Sequence, residues 1–552
     1  MPKVRLRLLV TTVAVALSSA LAIHFASAQH TGIDTYAITN ARIVPVSGAI
    51  IERGTVVIRN GLIAAVGANV NPPADARIID GTGLSVYPGL IDSYTHLALP
   101  EASPSPSAPA GGGGGFFLQQ PAAPRAGAAN STQPVGLQPE TLVEDIIRTG
   151  GSDVENARNV GFTSALTLPR TGIWIGQSAL INLSGETPQQ MIVRSPVAMH
   201  VGFTPLRGGY PGSLMGVFAS LRQMMLDAQR YRDSMKIYEA SSRGVRRPET
   251  DRSLEALVPV IEGKMPVVML ANTQREITRA LDLASEFKLK LIIAGGHESA
   301  RVTDRLLKQD VPVLLSLNLP RRTTAAIAEA DPEPLRVLRE RVEAQQTAGK
   351  LAKAKVRFAF QSGSLPNASD IMVNANRTIE NGLSTEDALR AFTIWPAEIL
   401  GVANQLGSIE VGKIANLTIT RGDLFDRNSR LTHVFIDGRP VDLRPAQEAG
   451  AGGRNLTGAW TLNINLGEEK TVSLNLRQEG DRLSGSIQGS LGSAEISNAS
   501  AGNDIRFTLV LNLGGETKEA SFVGTLSGNE LRGSVTMEGR APGTFTATRN
   551  PN

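Results

Sequence analysis

The 552-residue sequence predicts an α/β protein with a parallel sheet, followed by a small all-β module. Between about residues 141 and 400, apolar β-branched segments alternate with helical patterns, an order that is typical of βαβ units. After residue 456, short alternating segments separated by Gly-, Asn- and Asp-containing turns replace this pattern. A chain of this length exceeds what one hydrophobic core usually organises, so we expect several domains.

The first 28 residues have the features of a secretory signal peptide. Lys3, Arg5 and Arg7 form a basic start, residues 8–25 are apolar, and Ala26-Ser27-Ala28 supplies small residues before a cleavage site. We predict cleavage after Ala28 and export to the periplasm or the medium, with no stable membrane insertion afterwards. The alternative is an uncleaved anchor, because the apolar segment is nearly long enough to span a bilayer.

Charge and cysteine content narrow the classes of ligand. Removal of the signal peptide leaves 52 Lys and Arg side chains against 51 Asp and Glu side chains. A near-neutral body gives no electrostatic basis for binding nucleic acid, so we expect a small-molecule substrate or ligand, with a homo- or hetero-oligomer left open. The absence of Cys excludes disulfides and thiolate metal sites, which leaves His and carboxylates as the strong metal ligands.

The region before the α/β segment predicts a small sheet over residues 29–85. Asn60-Gly61 lies between two β-branched segments, which is a strong two-residue hairpin signal. Residues 101–135 are rich in Pro, Ala, Ser and Gly and predict a low-complexity insertion that cannot bury enough apolar surface to order itself.

Individual elements of the α/β region follow from the same patterns. Each predicted strand leads into a predicted helix and then into the next strand, as βαβ units require. The predicted strands are 267–271, 289–294, 311–317 and 356–360, and the predicted helices are 276–287, 297–308 and 385–392.

The sequence after residue 400 divides into three segments of different pattern. Residues 401–446 return to short strands, and residues 447–455 are a Gly- and Ala-rich linker. Residues 456–552 predict about seven strands in an antiparallel barrel or sandwich. No His occurs in this module, so we expect no metal chemistry there.

Two segments of the sequence carry motifs that are shared with a known family. Residues 87–96 read Tyr-Pro-Gly-Leu-Ile-Asp-Ser-Tyr-Thr-His, and residues 388–401 read Ala-Leu-Arg-Ala-Phe-Thr-Ile-Trp-Pro-Ala-Glu-Ile-Leu-Gly and are followed by short strands. The first segment resembles the signature of the amidohydrolase superfamily, in which Pro-Gly-Leu-Ile-Asp leads into a His-x-His pair, and the second resembles the other end of that family's barrel, in particular in its imidazolonepropionase-like branch. The resemblance implies a (β/α)₈ TIM-like barrel over residues 86–400, and a composite β-sandwich built from residues 29–85 and 401–446.

The resemblance also implies metal ions, Zn²⁺ or another divalent ion, held by five side chains that activate water. Only His96 matches a ligand position clearly, because Tyr94 replaces the first histidine of the pair, Leu270 replaces the histidine after the fifth strand, and Gly363 replaces the aspartate after the eighth. His297 lies two residues beyond the expected sixth-strand position, so it is either a displaced ligand or the start of a helix. A protein without metal remains an equal alternative.

Two functions remain open at this point. The first is a hydrolase of non-peptide carbon–nitrogen bonds with a reduced metal site of His96 and His297. The second is a catalytically inactive relative that serves as a binding or partner subunit, since a fold does not certify an activity. The substrate and the catalytic residues stay unassigned.

Overall fold

The computed structural model describes most of the chain between residues 35 and 550. The described residues are 35–100, 133–134, 136–206, 209–320, 334–363, 365, 368–426, 428–443, 456–465, 469–479, 482–489, 492–501, 505–513, 516–527, 530–537 and 543–550. The predicted signal peptide, nearly all of the predicted insertion and the predicted linker lie outside these ranges. The chain divides into two compact units between Leu443 and Arg444.

The first unit begins with strands, continues as alternating strands and helices, and ends with strands. Its strands are β1 (Tyr36–Ile43), β2 (Ile51–Arg59), β3 (Leu62–Gly67), β4 (Arg77–Asp80), β5 (Leu84–Pro88), β6 (Leu90–Thr95), β7 (Phe162–Thr167), β8 (Trp174–Gln177), β9 (Ala179–Asn182), β10 (Ile192–Arg194), β11 (Met199–Gly202), β12 (Val267–Ala271), β13 (Leu291–Gly295), β14 (Val313–Ser316), β15 (Phe358–Gln361), β16 (Leu417–Arg421), β17 (Arg430–Ile436) and β18 (Arg439–Val441).

The helices of the described residues all belong to this first unit. They are α1 (Ser152–Arg158), α2 (Pro188–Met191), α3 (Leu214–Ala240), α4 (Arg252–Ile261), α5 (Gln274–Phe287), α6 (Thr303–Lys308), α7 (Leu335–Lys353), α8 (Asp370–Glu380), α9 (Thr385–Phe392) and α10 (Ile394–Ile399), with short 3₁₀ turns at Val143–Asp145 and Ser299–Arg301. None of the helices in the described part of the chain is long and apolar enough to cross a membrane.

The strands on either side of the α/β region form one eight-stranded sheet. Its order is β18-β17-β16-β5-β1-β2-β3, with β4 pairing β1. The β2–β3 hairpin turns through Asn60 and Gly61, whose φ angles of 55° and 79° are those of a two-residue turn between antiparallel strands. The antiparallel pairing of β16 with β5 brings strands from the two ends of the unit into one sheet, where the resemblance implies a composite β-sandwich.

Two further sheets form the α/β barrel. β6 pairs with β7 in parallel, and β11 to β15 form a continuous parallel ladder. Between these sets, β9 pairs antiparallel with β7 and β8 antiparallel with β11, while Ser178 joins β8 to β9. On the other side, Ser93 Oγ donates to the Phe360 carbonyl at 2.7 Å and links β6 to β15. The α/β fold is confirmed; β8 and β9 run antiparallel to the barrel strands beside them, and β10 pairs antiparallel with β9.

Burial follows the strand alternation. One buried cluster has members on most of the barrel strands, among them Ile91, Leu166, Val268, Ile292 and Leu314. The larger cluster contains the neighbouring strand residues together with the apolar faces of α3, α5 and α9. Strands with two buried faces explain why these segments read as nearly continuous apolar runs in the sequence.

The second unit is a closed antiparallel barrel. Its strands, each paired with the next, are β19 (Gly458–Asn465), β20 (Glu469–Glu479), β21 (Arg482–Gly489), β22 (Gly492–Ala501), β23 (Ile505–Leu513), β24 (Glu516–Ser527), β25 (Glu530–Met537) and β26 (Gly543–Arg549), and β26 pairs back to β19. The interior is filled by Trp460 and by the Phe507, Phe522 and Phe545 cluster. The predicted all-β module is confirmed, and of the two alternatives, barrel or sandwich, it is a barrel. It has eight strands instead of about seven; the sequence missed β22 because that strand is rich in Ser, Ala and Asn and lacks a β-branched alternation.

Candidate functional site

A cavity of about 580 Å³ lies at the ends of the barrel strands. The candidate metal ligands and the replaced ligand positions that the sequence predicted all line this cavity: Tyr94, His96, Leu270, His297 and Gly363. The remaining lining residues are mostly neutral and polar or apolar, and they are Arg170, Thr171, Gly172, Ile175, Gly202, Thr204, Pro205, Leu206, Asn272, Gly295, Ser316, Asn318 and Gln361. Ligand sites of parallel barrels are built at the carboxyl ends of strands, so this cavity is the candidate site.

His96 follows β6 and is held in one orientation. Its Nδ1 lies 2.9 Å from the carbonyl oxygen of Leu168, and because a carbonyl only accepts, Nδ1 carries the proton. Burial lowers the pKa of His96 below its usual range, against the opposing effect of that hydrogen bond. The imidazole is therefore neutral near pH 7, with the lone pair on Nε2.

His297 lies on the loop after β13. The sequence left open a helix beginning at residue 297, but the structure has a 3₁₀ turn from Ser299 and a helix only from Thr303. Burial lowers the pKa of His297, and hydrogen bonding to the backbone of Ser316 and Asn318 opposes that effect. Its Nε2 is buried and has no hydrogen-bond partner among the described residues.

Tyr94 stands where the family has the first histidine of its pair. Its ring makes edge contacts with His96, at 6.1 Å between centroids, and with His200, at 5.6 Å. Burial raises the pKa of the Tyr94 phenol, so the hydroxyl stays protonated. A protonated phenol is a poor metal ligand, and its ring fills space that an imidazole would leave open.

Two further ligand positions, the expected sixth-strand position at Gly295 and the eighth-strand position at Gly363, are closed by neighbouring side chains. Gly295, with φ 90°, lies directly beneath the Oδ1 atom of Asn272, and a Cβ atom there would collide with that oxygen. Gly363, with φ 48°, lies beside Gln361 Oε1 and Ser316 Oγ, which would both be 2.6 Å from an added Cβ. Amide and hydroxyl side chains therefore occupy the space next to the positions that correspond to metal ligands.

Asn272 is fixed by the start of α5. Thr273 and Glu276 form a capping box, and the Glu276 carboxylate also accepts from the Asn272 backbone N–H at 2.9 Å. The Asn272 carbonyl accepts from the Glu298 N–H at 2.9 Å, which ties the loop after β12 to the loop after β13. The backbone of Asn272 is therefore fixed at the point where its side chain lines the cavity.

The donor set does not fit the family's metal centre. Of the five expected positions only His96 carries a ligand, and a catalytic zinc site normally needs about three protein ligands plus water. Among the described residues, no group of three or more His, Asp or Glu side chains converges on a point where an ion would bind. Two neutral imidazoles and no carboxylate would leave a divalent ion weakly held.

Two buried ionisable side chains, His200 and Asp92, lie in barrel strands and are not among the residues that line the cavity. His200 lies in β11 with neither ring nitrogen hydrogen-bonded within the described protein, and burial lowers its pKa to about 3. Asp92, within the Pro-Gly-Leu-Ile-Asp motif, accepts from the backbone N–H groups of Ser362 at 3.0 Å and Tyr94 at 3.4 Å. Burial raises the pKa of Asp92 to about 6.

Fold and cavity together define an α/β-barrel protein with a cavity at its strand ends. Residues 334–441 match the model of the Amidohydrolase family. A crystal structure of an amidohydrolase from Thermotoga maritima superposes with a TM-score of 0.61 at 25% identity, covering 74% of this chain and 100% of that one. The chain carries an amidohydrolase-family domain, as its motifs indicated.

Two curated relatives extend the likeness beyond that segment. Adenine deaminase 2 of Rhizobium etli is 24% identical over 417 residues, which are 75% of this chain and 57% of the deaminase. Imidazolonepropionase of Symbiobacterium thermophilum is 23% identical over 407 residues, 67% of this chain and 84% of that enzyme. The chain thus spans just over half the length of the deaminase, and the activities of these relatives apply to it only as proposals.

Proposed function

We propose that the chain hydrolyses a carbon–nitrogen bond of a small, non-peptide molecule bound in the barrel-mouth cavity. The orientation of His96 carries the proposal, because the hydrogen bond to Leu168 directs the proton to Nδ1 and leaves Nε2 as a base. The relatives support the bond class, since their names denote a deaminase of adenine and an enzyme of imidazolonepropionate.

The residues present allow a general-base step. Nε2 of His96 would accept a proton from water as the oxygen attacks the substrate carbon, and that proton would then pass to the departing nitrogen. A base works best when it is neutral before the reaction, and the lowered pKa of His96 provides this state near pH 7. Arg170, which donates to the His96 carbonyl at 3.4 Å, lies at the exposed rim, where a polar substrate would enter.

The test is turnover by the purified full chain. Adenine, imidazolonepropionate and dihydroorotate are incubated with the protein with and without EDTA, and product is followed by liquid chromatography. We expect turnover that persists in EDTA and is lost in His96→Gln, with Asn376→Leu as a control outside the cavity. Absence of turnover with all three compounds would contradict the proposal.

A non-catalytic binding or partner subunit is the second candidate. The observation that favours it is the replacement of three ligand positions by Tyr94, Leu270 and Gly363, all at the cavity wall. Measuring the zinc content of the purified protein distinguishes both candidates, which need no metal, from a metal-dependent hydrolase. Stoichiometric zinc that is lost in His96→Ala would contradict a binding subunit, whereas no bound metal and no effect of chelator on stability would contradict a metal-dependent enzyme.

We also propose that the protein is exported. The proposal rests on the basic start, the apolar segment and Ala26-Ser27-Ala28. N-terminal sequencing of protein from the periplasm and the medium should give a chain that begins at Gln29. Full-length protein retained with the membrane would instead support an uncleaved anchor.

A further inference from the structure

A second cavity, of about 450 Å³, is lined by both the composite sheet and helix α9. Its lining is drawn from residues 42–50 at the end of β1 and beyond, from residues 385–390 of α9, from residues 423–425 after β16, and from Tyr87 of β5. Among the described residues, it shares no lining residue with the barrel-mouth cavity. It is therefore a separate candidate site in the first unit.

Hydrogen bonds within the protein hold the chain after β1 in place. The Val44 N–H donates to the Val86 carbonyl at 2.9 Å. The next carbonyl, that of Pro45, accepts from the Ile409 N–H at 3.2 Å. Val46 has a φ of 70°, a left-handed conformation that is rare for a β-branched residue, so contacts with its surroundings hold it there. This wall of the cavity is therefore formed before any ligand binds.

The other lining segments are fixed as well. The Tyr87 hydroxyl donates to Asp423 Oδ1 at 3.1 Å and accepts from the Leu424 N–H at 3.3 Å. The Ser384 side chain caps α9 by accepting from the Asp387 N–H at 3.0 Å. Walls that are fixed in this way do not have to be ordered when a ligand enters, which lowers the free-energy cost of binding.

Large apolar side chains form much of the lining. They are Val44, Val46, Ile50, Leu389, Leu424 and Phe425. A ligand with an apolar body would remove their surface from water, and this is the main favourable contribution to the binding of apolar molecules in preformed pockets.

The charged groups of the lining are already paired. Arg42 Nη1 lies 2.8 Å from Asp423 Oδ1. Arg390 Nη2 lies 2.8 Å from Glu386 Oε1, so the two cations and the two anions of the described lining balance. A charged ligand would have to break one of these ion pairs or leave its own charge without a partner, and both are unfavourable. The cavity therefore favours an uncharged ligand.

The volume of the cavity limits the size of that ligand. A water molecule occupies about 30 Å³ in the liquid, so a cavity of about 450 Å³ holds roughly fifteen water-sized groups. We propose that this second cavity binds an uncharged, chiefly apolar molecule of roughly ten to fifteen non-hydrogen atoms. The inference goes beyond the proposed hydrolase and does not depend on it, because the two cavities have no described lining residue in common.

Calorimetric titration of the full chain tests the site with two pairs of probes. Nonanol and naphthylmethanol are the uncharged members, and nonanoate and naphthoate are their charged counterparts of nearly the same size. We expect at least one uncharged probe to bind, and its charged counterpart to bind about tenfold more weakly or not at all. Hydrogen exchange should be slowed by the bound probe at peptides that cover residues 42–50 and 385–390.

Two variants in the lining and one matched control assign the binding to this cavity. Ile50→Ser removes an apolar side chain that is 47% exposed, and it should weaken binding about threefold to fivefold. Gly48 lies outside the left-handed region, and a Cβ added there meets no atom within 4 Å, so the ring of Gly48→Phe should occupy the cavity and weaken binding about tenfold. Ile78→Ser, at a 56% exposed position of β4 outside both cavities, should leave binding unchanged.

The inference is overturned if neither uncharged probe binds, as would happen if another segment of the chain filled the cavity. Equal binding of charged and uncharged members, unchanged affinity in both lining variants, or slowed exchange confined to barrel-mouth peptides would also overturn it. Circular dichroism checks that each variant is folded; should Gly48→Phe unfold, Ile50→Ser decides, because its side chain is half exposed. Binding in this cavity without turnover would support the inference and contradict the proposed hydrolase, while turnover without such binding would do the reverse.

Discussion

Asp92→Asn should stabilise the first unit at neutral pH. The side chain is 2% exposed, and no cation is among the groups that shift its pKa, which burial raises from 3.8 to about 6. An asparagine would keep an oxygen to accept from the backbone N–H groups of Ser362 and Tyr94. The carboxylate also hydrogen-bonds the Ser362 hydroxyl, and the asparagine amide can donate to that hydroxyl in its place. The substitution therefore removes a buried charge and keeps its hydrogen-bond partners.

The gain in stability can be calculated from the difference in the pKa of Asp92 between the folded and unfolded chains. Asp92 holds its proton more tightly in the folded chain than in the unfolded chain, so its contribution to the free energy of unfolding is full below pH 3.8 and is lost as pH rises through 6. A shift of about two pKa units at about 1.4 kcal/mol per unit gives roughly 3 kcal/mol. The stability of Asp92→Asn relative to the native chain should thus rise by about 2–3 kcal/mol between pH 4 and pH 7.

Hydrogen exchange in urea, read at peptides that cover β5 and β6, measures this difference in the first unit. The comparison is the free energy of opening of variant and native chain at pH 4 and pH 7. Asp304→Asn, at an exposed site, is the control and should show no such pH dependence. A relative stability of Asp92→Asn that does not change with pH, or that falls as pH rises, would refute the reasoning.

Three further predictions concern packing and protonation. Gly295→Ala should lower the free energy of unfolding in urea by about 1–3 kcal/mol more than Gly382→Ala does. Both glycines have a positive φ, but only at Gly295 would the added Cβ collide with Asn272. Equal losses of stability in the two variants would contradict this close approach. Phe522→Ala should cost about 3–5 kcal/mol in the second unit, measured by hydrogen exchange of its strands, because the ring is fully buried in the aromatic cluster. Nitrogen-15 NMR should find His96 neutral with the proton on Nδ1 at pH 7, and a protonated ring at that pH would contradict its lowered pKa.

Much of the site could be located from the sequence because the family motif lies at a strand end. Tyr94 and His96 were assigned to the mouth of the barrel from the first motif, and Leu270 and Gly363 from the ends of two predicted strands aligned with the family; all four line one cavity. Strand periodicity makes this possible, since a residue just beyond an apolar run falls at the edge of the sheet.

Asn272 and Gln361 could not be recognised in the same way. Asn and Gln are common on surfaces and carry no metal-ligand signature, so nothing in their spacing distinguishes them. Their importance comes from contacts across the chain, because Gln361 is fixed by Leu314 on β14 and Asn272 by the start of α5. The direction of β8 and β9 was likewise decided by pairing with β7 and β11.

The sequence by itself determined the α/β class, the hairpin at Asn60-Gly61 and the replacement of the metal ligands, because local propensity, periodicity and residue identity are written along the chain. Only the tertiary structure decided which side chains occupy the space at the positions where the family has metal ligands. Whether a side chain can extend from Gly295 or Gly363 depends on atoms that other strands bring within van der Waals contact. The chemistry of the cavity is therefore a property of packing between distant segments.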